Sequence, residues 1–278
     1  MGAQYCVAWA YTKGDGVVAD LAAATMWFEK AAKGGHVEAQ AYTAQAYNTG
    51  EGVAVDHAAA TAWFEKAAEQ GHLASQYNLG CSYSQAIGVE QNHVVAAKWF
   101  KRAADRGHTG AMVNLGKACH NGHGVAQDHA RAMTLSHAVV AVDGNDKTAL
   151  FNLGQYHFEG NGAEDNYATA LSFWQRAADL GHVESQRIIG CAHKNGRGDF
   201  EVNLELARKY LKASAAQGNA ASIEILKEMN ACEECGAADA TRVCSGCRKV
   251  HYCDARCQQL HWTDPLHPHK AHCIGRRR

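Results

Sequence analysis

Apolar residues recur with helical spacing over the first 230 residues, and glycine interrupts them at regular intervals. In one segment Gln76, Leu79, Gly80 and Tyr83 fall on a single helical face, where Gly80 would let a partner helix approach closely. Gly88 is expected to end that helix, because glycine takes a left-handed C-cap without strain. A second kind of helix follows, typified by the stripe Ala24, Trp27, Phe28 and Ala31 and stopped by Gly35. Its expected N-cap is Asp20, and the matching positions downstream hold Asp56, Asn92, Asp128, Asn166 and Asn203.

The two helices form a unit that repeats. Gln4, Gln40 and Gln76 are evenly spaced, Met112 continues the series, and after a short insertion so do Leu150 and Gln186. Trp27, Trp63 and Trp99 recur in step, each followed by phenylalanine. Gly-x-Gly recurs at 14/16, 50/52, 122/124, 160/162 and 196/198, decayed to Ala86 and Gly88 in the third unit, and Gly-His at 35/36, 71/72, 107/108 and 181/182. Six units and a half-unit result. None can bury its aromatic face alone, so stacked units must share a continuous core, which predicts an all-α solenoid.

Composition sharpens this reading. The chain has 278 residues and only 2 prolines, Pro265 and Pro268, so the helical region lacks the strongest helix breaker. The 27 glycines supply the punctuation instead. The wording AQAYTAQAYNTGEGVAVDHAAATAWFEKAAEQGH and its five relatives resembles the Sel1-like repeat, a relative of the tetratricopeptide repeat. The likeness weakens at Leu135-Ser136 and at Lys209-Tyr210, which stand where other units have Trp-Phe. The resemblance implies a right-handed superhelix that scaffolds protein complexes. Bacterial relatives often carry a disulfide within each unit; no unit here has two cysteines, so none is expected. By analogy with tetratricopeptide proteins, a concave binding surface would carry Gln45, Asn48, Ser84, Gln85, Lys117, His120, Asn121, Gln155, Glu159, Lys194 and Asn195. The plainer alternative is that these are ordinary solvated side chains.

Of the 11 cysteines, 7 fall beyond residue 230. Their order is Cys232-x2-Cys235, Cys244-x2-Cys247, Cys253-x3-Cys257, and finally His269-x3-Cys273. Eight such ligands suit two tetrahedral zinc ions. A redox CxxC would follow a βαβ pattern, and a disulfide cluster would need a secretory setting; neither is indicated. A RING finger would place a histidine near the third ligand, where Cys244 and Cys247 make a plain pair. Spacing alone leaves sequential and crossed pairing open.

The run resembles the MYND zinc finger, carried by Tyr252 before Cys253, Gln258 after Cys257, Trp262, and His269-Lys270 before Cys273. The resemblance implies a cross-brace. Cys232, Cys235, Cys253 and Cys257 would hold one zinc, and Cys244, Cys247, His269 and Cys273 the other. The family's usual histidine position is Pro265 here, after which an insertion carries the histidine to 269; His267 and His272 are the alternative ligands. The resemblance also implies that Gln258 and Trp262 face a groove for short proline-containing peptides, although Trp262 would serve equally as packing on the zinc core.

Two domains are therefore expected, 1–230 and 231–278. A formal net charge of −1 argues against a nucleic-acid binder that works by neutralising phosphates. No apolar run is long enough to span a membrane, and no secretory signal opens the chain. Zinc thiolates and spare free thiols point to a reducing compartment, cytoplasm or nucleus. The expectation is a non-catalytic scaffold or adaptor for protein or peptide partners. Rival readings are a ubiquitin-ligase or methyltransferase-associated component, although the repeats leave no room for a methyltransferase domain, and an adaptor in protein quality control. A metal site at His120, His123, Asp128 and His129 is a weaker candidate.

Overall fold

A computed structural model describes residues 2–160, 166–198, 200–230, 242–243 and 251–252. The helices in order are α1 Gly2–Lys13, α2 Leu21–Lys33, α3 Val37–Thr49, α4 His57–Glu69, α5 Leu73–Gln85, α6 His93–Ala104, α7 Thr109–Asn121, α8 His129–Val142, α9 Lys147–Glu159, α10 Tyr167–Asp179, α11 Val183–Asn195, α12 Leu204–Ala216 and α13 Ala220–Asn230. Two short strands, β1 Arg242–Val243 and β2 His251–Tyr252, pair antiparallel. The chain divides into two compact units, Met1–Asn166 and Tyr167–Arg278. Within each, consecutive helices pack on one another as pairs, the helix-pair architecture expected of an α-solenoid.

The second helix of each pair starts where the sequence indicates. Asp20, Asp56, Asn92, Asp128 and Asn203 each accept a backbone N–H from the first turn of the helix they precede. The buried stripe is also as read: Phe28, Phe64 and Phe100 are buried, and an added Cβ on Gly80 would come within 2.7 Å of the Phe100 ring. In the fourth pair Ser136 stands in for that phenylalanine, and Gly116 has no contact closer than 3.5 Å. The tryptophans sit at the edge of the core, with a cation one turn on: Lys30 over Trp27 at 4.2 Å, Lys66 over Trp63 at 4.0 Å, and Arg102 over Trp99 at 4.6 Å.

The repeated glutamine has a definite task. Gln40, Gln76 and Gln186 are buried, and each donates its side-chain amide to a carbonyl in the last turn of the preceding helix, Ala32, Ala68 and Ala178, at 3.2 Å. Each of those carbonyls also accepts the N–H of the following glycine, Gly35, Gly71 or Gly181, so the glutamine fills its second acceptor site and ties the start of one helix to the end of the one before. A second layer follows: Gln70 reaches Gln40 and Gln217 reaches Gln186 within a pair, and Arg106 reaches the Gly71 carbonyl of the pair before.

Gly-His serves two helices at once. In α4 the His72 N–H bonds the Ala67 carbonyl and the Gly71 N–H bonds Ala68, which closes the helix with Gly71 left-handed at φ +89°. The His72 Nδ1 then accepts the Ser75 N–H and caps α5. His36, His108 and His182 do the same for α3, α7 and α11, while Asp146 and Asn219 take over the position before α9 and α13. An imidazole can accept through Nδ1 only when neutral. Burial pushes the pKa of His72 and of His108 below the usual value. The unfolded chain therefore binds protons first, and their contribution to stability is full above about pH 6.5 and is lost as pH falls through the folded value. His72→Asn is expected to keep the cap, as Asn219 does, and to flatten this acid sensitivity. Urea midpoints of both proteins between about pH 7.5 and 5.5 check it, and an unchanged slope would remove the imidazole cap as the cause.

Gly88 does not end α5, contrary to the expectation from sequence. The helix closes two residues earlier on Ala86, a non-glycine residue held left-handed at φ 58°, whose N–H bonds the Ser82 carbonyl. Gly88 instead lies against the backbone that opens α4, where an added Cβ would meet the His57 carbonyl and sit 2.7 Å from Ala58 N. Gly52 and Gly124 make the same approach to Leu21 and His93. Thr25 and Thr61 complete these junctions by donating to the carbonyls of Glu51 and Ile87, each at 3.0 Å.

Candidate protein-interaction site

The polar residues singled out on the first helices are exposed or half-buried, and the fold sorts them into neighbouring groups. On α3, Asn48 Oδ1 lies 3.2 Å from His57 Nδ1, so this side chain is engaged within its own pair. Gln45 is exposed and lines a cleft of about 290 Å³ walled by Trp9, Phe28 and Tyr42. Ser84 and Gln85 of α5 meet Lys117 and Asn121 of α7 around a second cleft, of about 220 Å³.

Further along, His120 of α7 contacts Glu159 of α9, Nε2 to Oε2 at 3.3 Å, and Gln155 donates to the other carboxylate oxygen at 2.8 Å. Tyr156 packs beside His120 with ring centroids 4.8 Å apart, and burial lifts the Tyr156 hydroxyl to about 12, so it stays a neutral hydroxyl. Lys194 of α11 pairs with Glu228 of α13 at 3.4 Å. That contact is exposed at the glutamate and contributes little to stability. Asn195 beside it is exposed.

The histidine-rich turn is not a metal site. Asp128 is occupied as the cap of α8, His123 stacks on His93 at 5.1 Å, and His120 faces His129, Nδ1 to Nδ1, at 3.2 Å. Asn48 and His57 make the same contact two pairs earlier, so this is the ordinary joint of a helix pair. Among the described residues no group of three or more histidine, cysteine, aspartate or glutamate side chains could hold a metal ion. Cys6, Cys81, Cys119 and Cys191 are free thiols. Burial pushes the thiols of Cys81 and Cys119 up, away from the reactive thiolate. Among the described residues no helix is long and apolar enough to cross a membrane.

Sequence reasoning passed over the cleft-lining residues Trp9, Tyr42 and Asn114, and read His123 only as a metal candidate. The signal was present, since the two clefts occupy corresponding positions of the repeat.

The zinc-ligand candidates Cys232, Cys235, Cys244, Cys247, Cys253, Cys257, His269 and Cys273, with His267 and His272, lie outside the described residues, as do Gln258 and Trp262. What is described there is the ladder, with Arg242 opposite Tyr252 and Val243 opposite His251. Cys244 directly follows β1 and Cys253 directly follows β2 in the sequence. The donor set itself, soft thiolates with one imidazole, has the chemistry of a closed zinc site.

A helical-repeat protein with a cysteine-rich finger is thus defined. Family models place six copies of the Sel1 repeat at residues 2–36, 37–72, 73–108, 109–136, 147–182 and 183–219, and a MYND finger at 232–273. The chain belongs to the Sel1 repeat family. The fourth match stops at 136, where the Trp-Phe pair is replaced.

Among solved structures it is similar to c5321, a protective antigen of uropathogenic Escherichia coli, at 28% identity and a TM-score of 0.68, over 82% of this chain and 48% of that one. This chain thus spans about half of that protein. It is also similar to a Sel1 repeat protein from Oxalobacter formigenes, at 28% identity and a TM-score of 0.66, over 77% of this chain and 84% of that one. No curated protein matches the chain. Sel1 repeats and MYND fingers mediate protein–protein interactions, and a MYND finger implies bound zinc.

Proposed function

We propose that this chain is a non-catalytic adaptor with two binding surfaces, the first helices of its repeats and the groove of its finger. The observation that carries the reading is the pairing of six interaction repeats with a MYND finger on one chain. Two clefts lined by first-helix side chains support it. In the finger, Cys232, Cys235, Cys253 and Cys257 would hold one zinc and Cys244, Cys247, His269 and Cys273 another. Bound there, the metal supplies folding energy, because four protein ligands leave no place for a catalytic water. Gln258 and Trp262 would then receive a short proline-containing peptide. Its partners are proteins or peptides rather than nucleic acid or membrane, and its setting is cytoplasm or nucleus.

Quantitative affinity capture with the full chain and two variants tests this. Trp262→Ala is expected to lose one set of partners and Gln45→Arg another, each with the zinc content unchanged. Identical partner sets for all three proteins would refute two separate surfaces. Robust product from the purified chain in a ubiquitination or methylation assay would overturn the non-catalytic reading.

A further inference from the structure

The cleft between α5, α6 and α7 has a counterpart two repeat periods earlier, and the difference between the two indicates a ligand. His93, Phe100, Asn114, Lys117 and His123 of the later cleft correspond in the repeat to Leu21, Phe28, Tyr42, Gln45 and Glu51 of the earlier one. Both lie in Met1–Asn166, and both keep the buried phenylalanine. Of the other paired positions, Lys13 becomes Gln85 and Thr25 becomes Ala97, while four more change towards N–H donors. Leucine and glutamate become histidine, tyrosine becomes asparagine, and glutamine becomes lysine. Leucine, tyrosine and the carboxylate leave and N–H donors replace them, and the one lysine stands at 117 instead of at the position of Lys13.

Among the described residues no carboxylate lines the later cleft. Lys117 is exposed and makes no ion pair there, and the Asn114 side chain reaches the Cys81 sulfur at 3.8 Å and hydrogen-bonds with Tyr77. The stacked rings of His93 and His123 bring further donors to the same opening. Residues 1–230 carry more acidic than basic side chains, 23 against 19, so this lining is not the general character of the surface. At about 220 Å³ the cleft falls below the roughly 300–1,000 Å³ of cofactor and drug-sized pockets and suits one side chain.

We propose that this cleft takes the side-chain carboxylate of an acidic peptide, with Lys117 as its charged partner and the neighbouring amides and imidazoles as further donors. A carboxylate fits better than a phosphate. The cleft offers one permanent cation and no arginine fork, whereas a phosphate monoester brings about two negative charges and is best met by guanidinium. The assignment rests on the reading that the repeats bind peptides.

The test uses the zinc-loaded full chain on an array of short synthetic peptides in three matched sets, each with a central glutamate, glutamine or phosphoserine. The glutamate set is expected to bind best, and Lys117→Gln to weaken it by about tenfold or more while sparing the glutamine set. Gln45→Lys with Glu51→His should give the earlier cleft the same preference, which raises glutamate binding in the Lys117→Gln background. Equal binding of glutamate and glutamine peptides, or a preference for phosphoserine, would overturn this cleft assignment and leave peptide binding by the repeats standing. Absence of binding to every set, with Gln45→Arg also silent in affinity capture, would overturn both.

Discussion

Gly88→Ala is expected to destabilise the Met1–Asn166 unit by about 2–5 kcal/mol. Two effects add. A left-handed φ of +68° costs an L-residue about 1–2 kcal/mol, and forcing a Cβ against fixed backbone costs about 1–3 kcal/mol more. The obstruction is the His57 carbonyl and Ala58 N, which cannot rotate aside as a side chain could. Gly107→Ala separates the two contributions, since Gly107 is equally left-handed at φ +88° but has nothing within 4 Å of an added Cβ. It should lose only the conformational part. Ala86→Gly should move the other way, gaining about 0.5–1 kcal/mol once the greater freedom of unfolded glycine is set against the relieved strain. Urea unfolding followed by circular dichroism measures all three. Equal losses for Gly88→Ala and Gly107→Ala would show that the junction has room to spare.

These glycines show what the sequence could and could not convey. The caps of the second helices were legible because Asp and Asn before a helical stripe have one common explanation. The repeated glutamine was legible as a spacing but not as a bond, because its acceptor is a backbone carbonyl with no identity of its own. Gly88 was misread for the same reason: its partner is the backbone at His57, far back in the chain, while a helix end lies close at hand. Gly-His read as a helix stop was half right. The glycine closes one helix, and the histidine caps the next through an imidazole nitrogen, a role more often filled by oxygen. The clefts needed the fold, since only packing brings α5 and α7 residues to one opening.

Removal of zinc is expected to unfold the finger and leave the helical repeats intact. Residues 231–278 are too few to bury a core that holds without metal. Structural zinc contributes about 10–16 kcal/mol in comparable peptides, as much as the whole stability of a typical domain. A strong chelator should therefore release two zinc ions by native mass spectrometry while most of the helical signal persists. A pair of double variants then decides the pairing. In a cross-brace, Cys232 and Cys253 share one ion, so Cys232→Ser with Cys253→Ser should retain one zinc. In sequential pairing the same two changes damage both sites, and neither ion should stay. Cys232→Ser with Cys244→Ser reverses the logic, because the cross-brace then loses both ions and the sequential arrangement keeps one. His269→Ala, compared with His267→Ala and His272→Ala, identifies the imidazole ligand by the variant that alone drops to one ion. Two zinc ions retained in the Cys232→Ser, Cys244→Ser double variant would refute both pairings, and with them the ligand set.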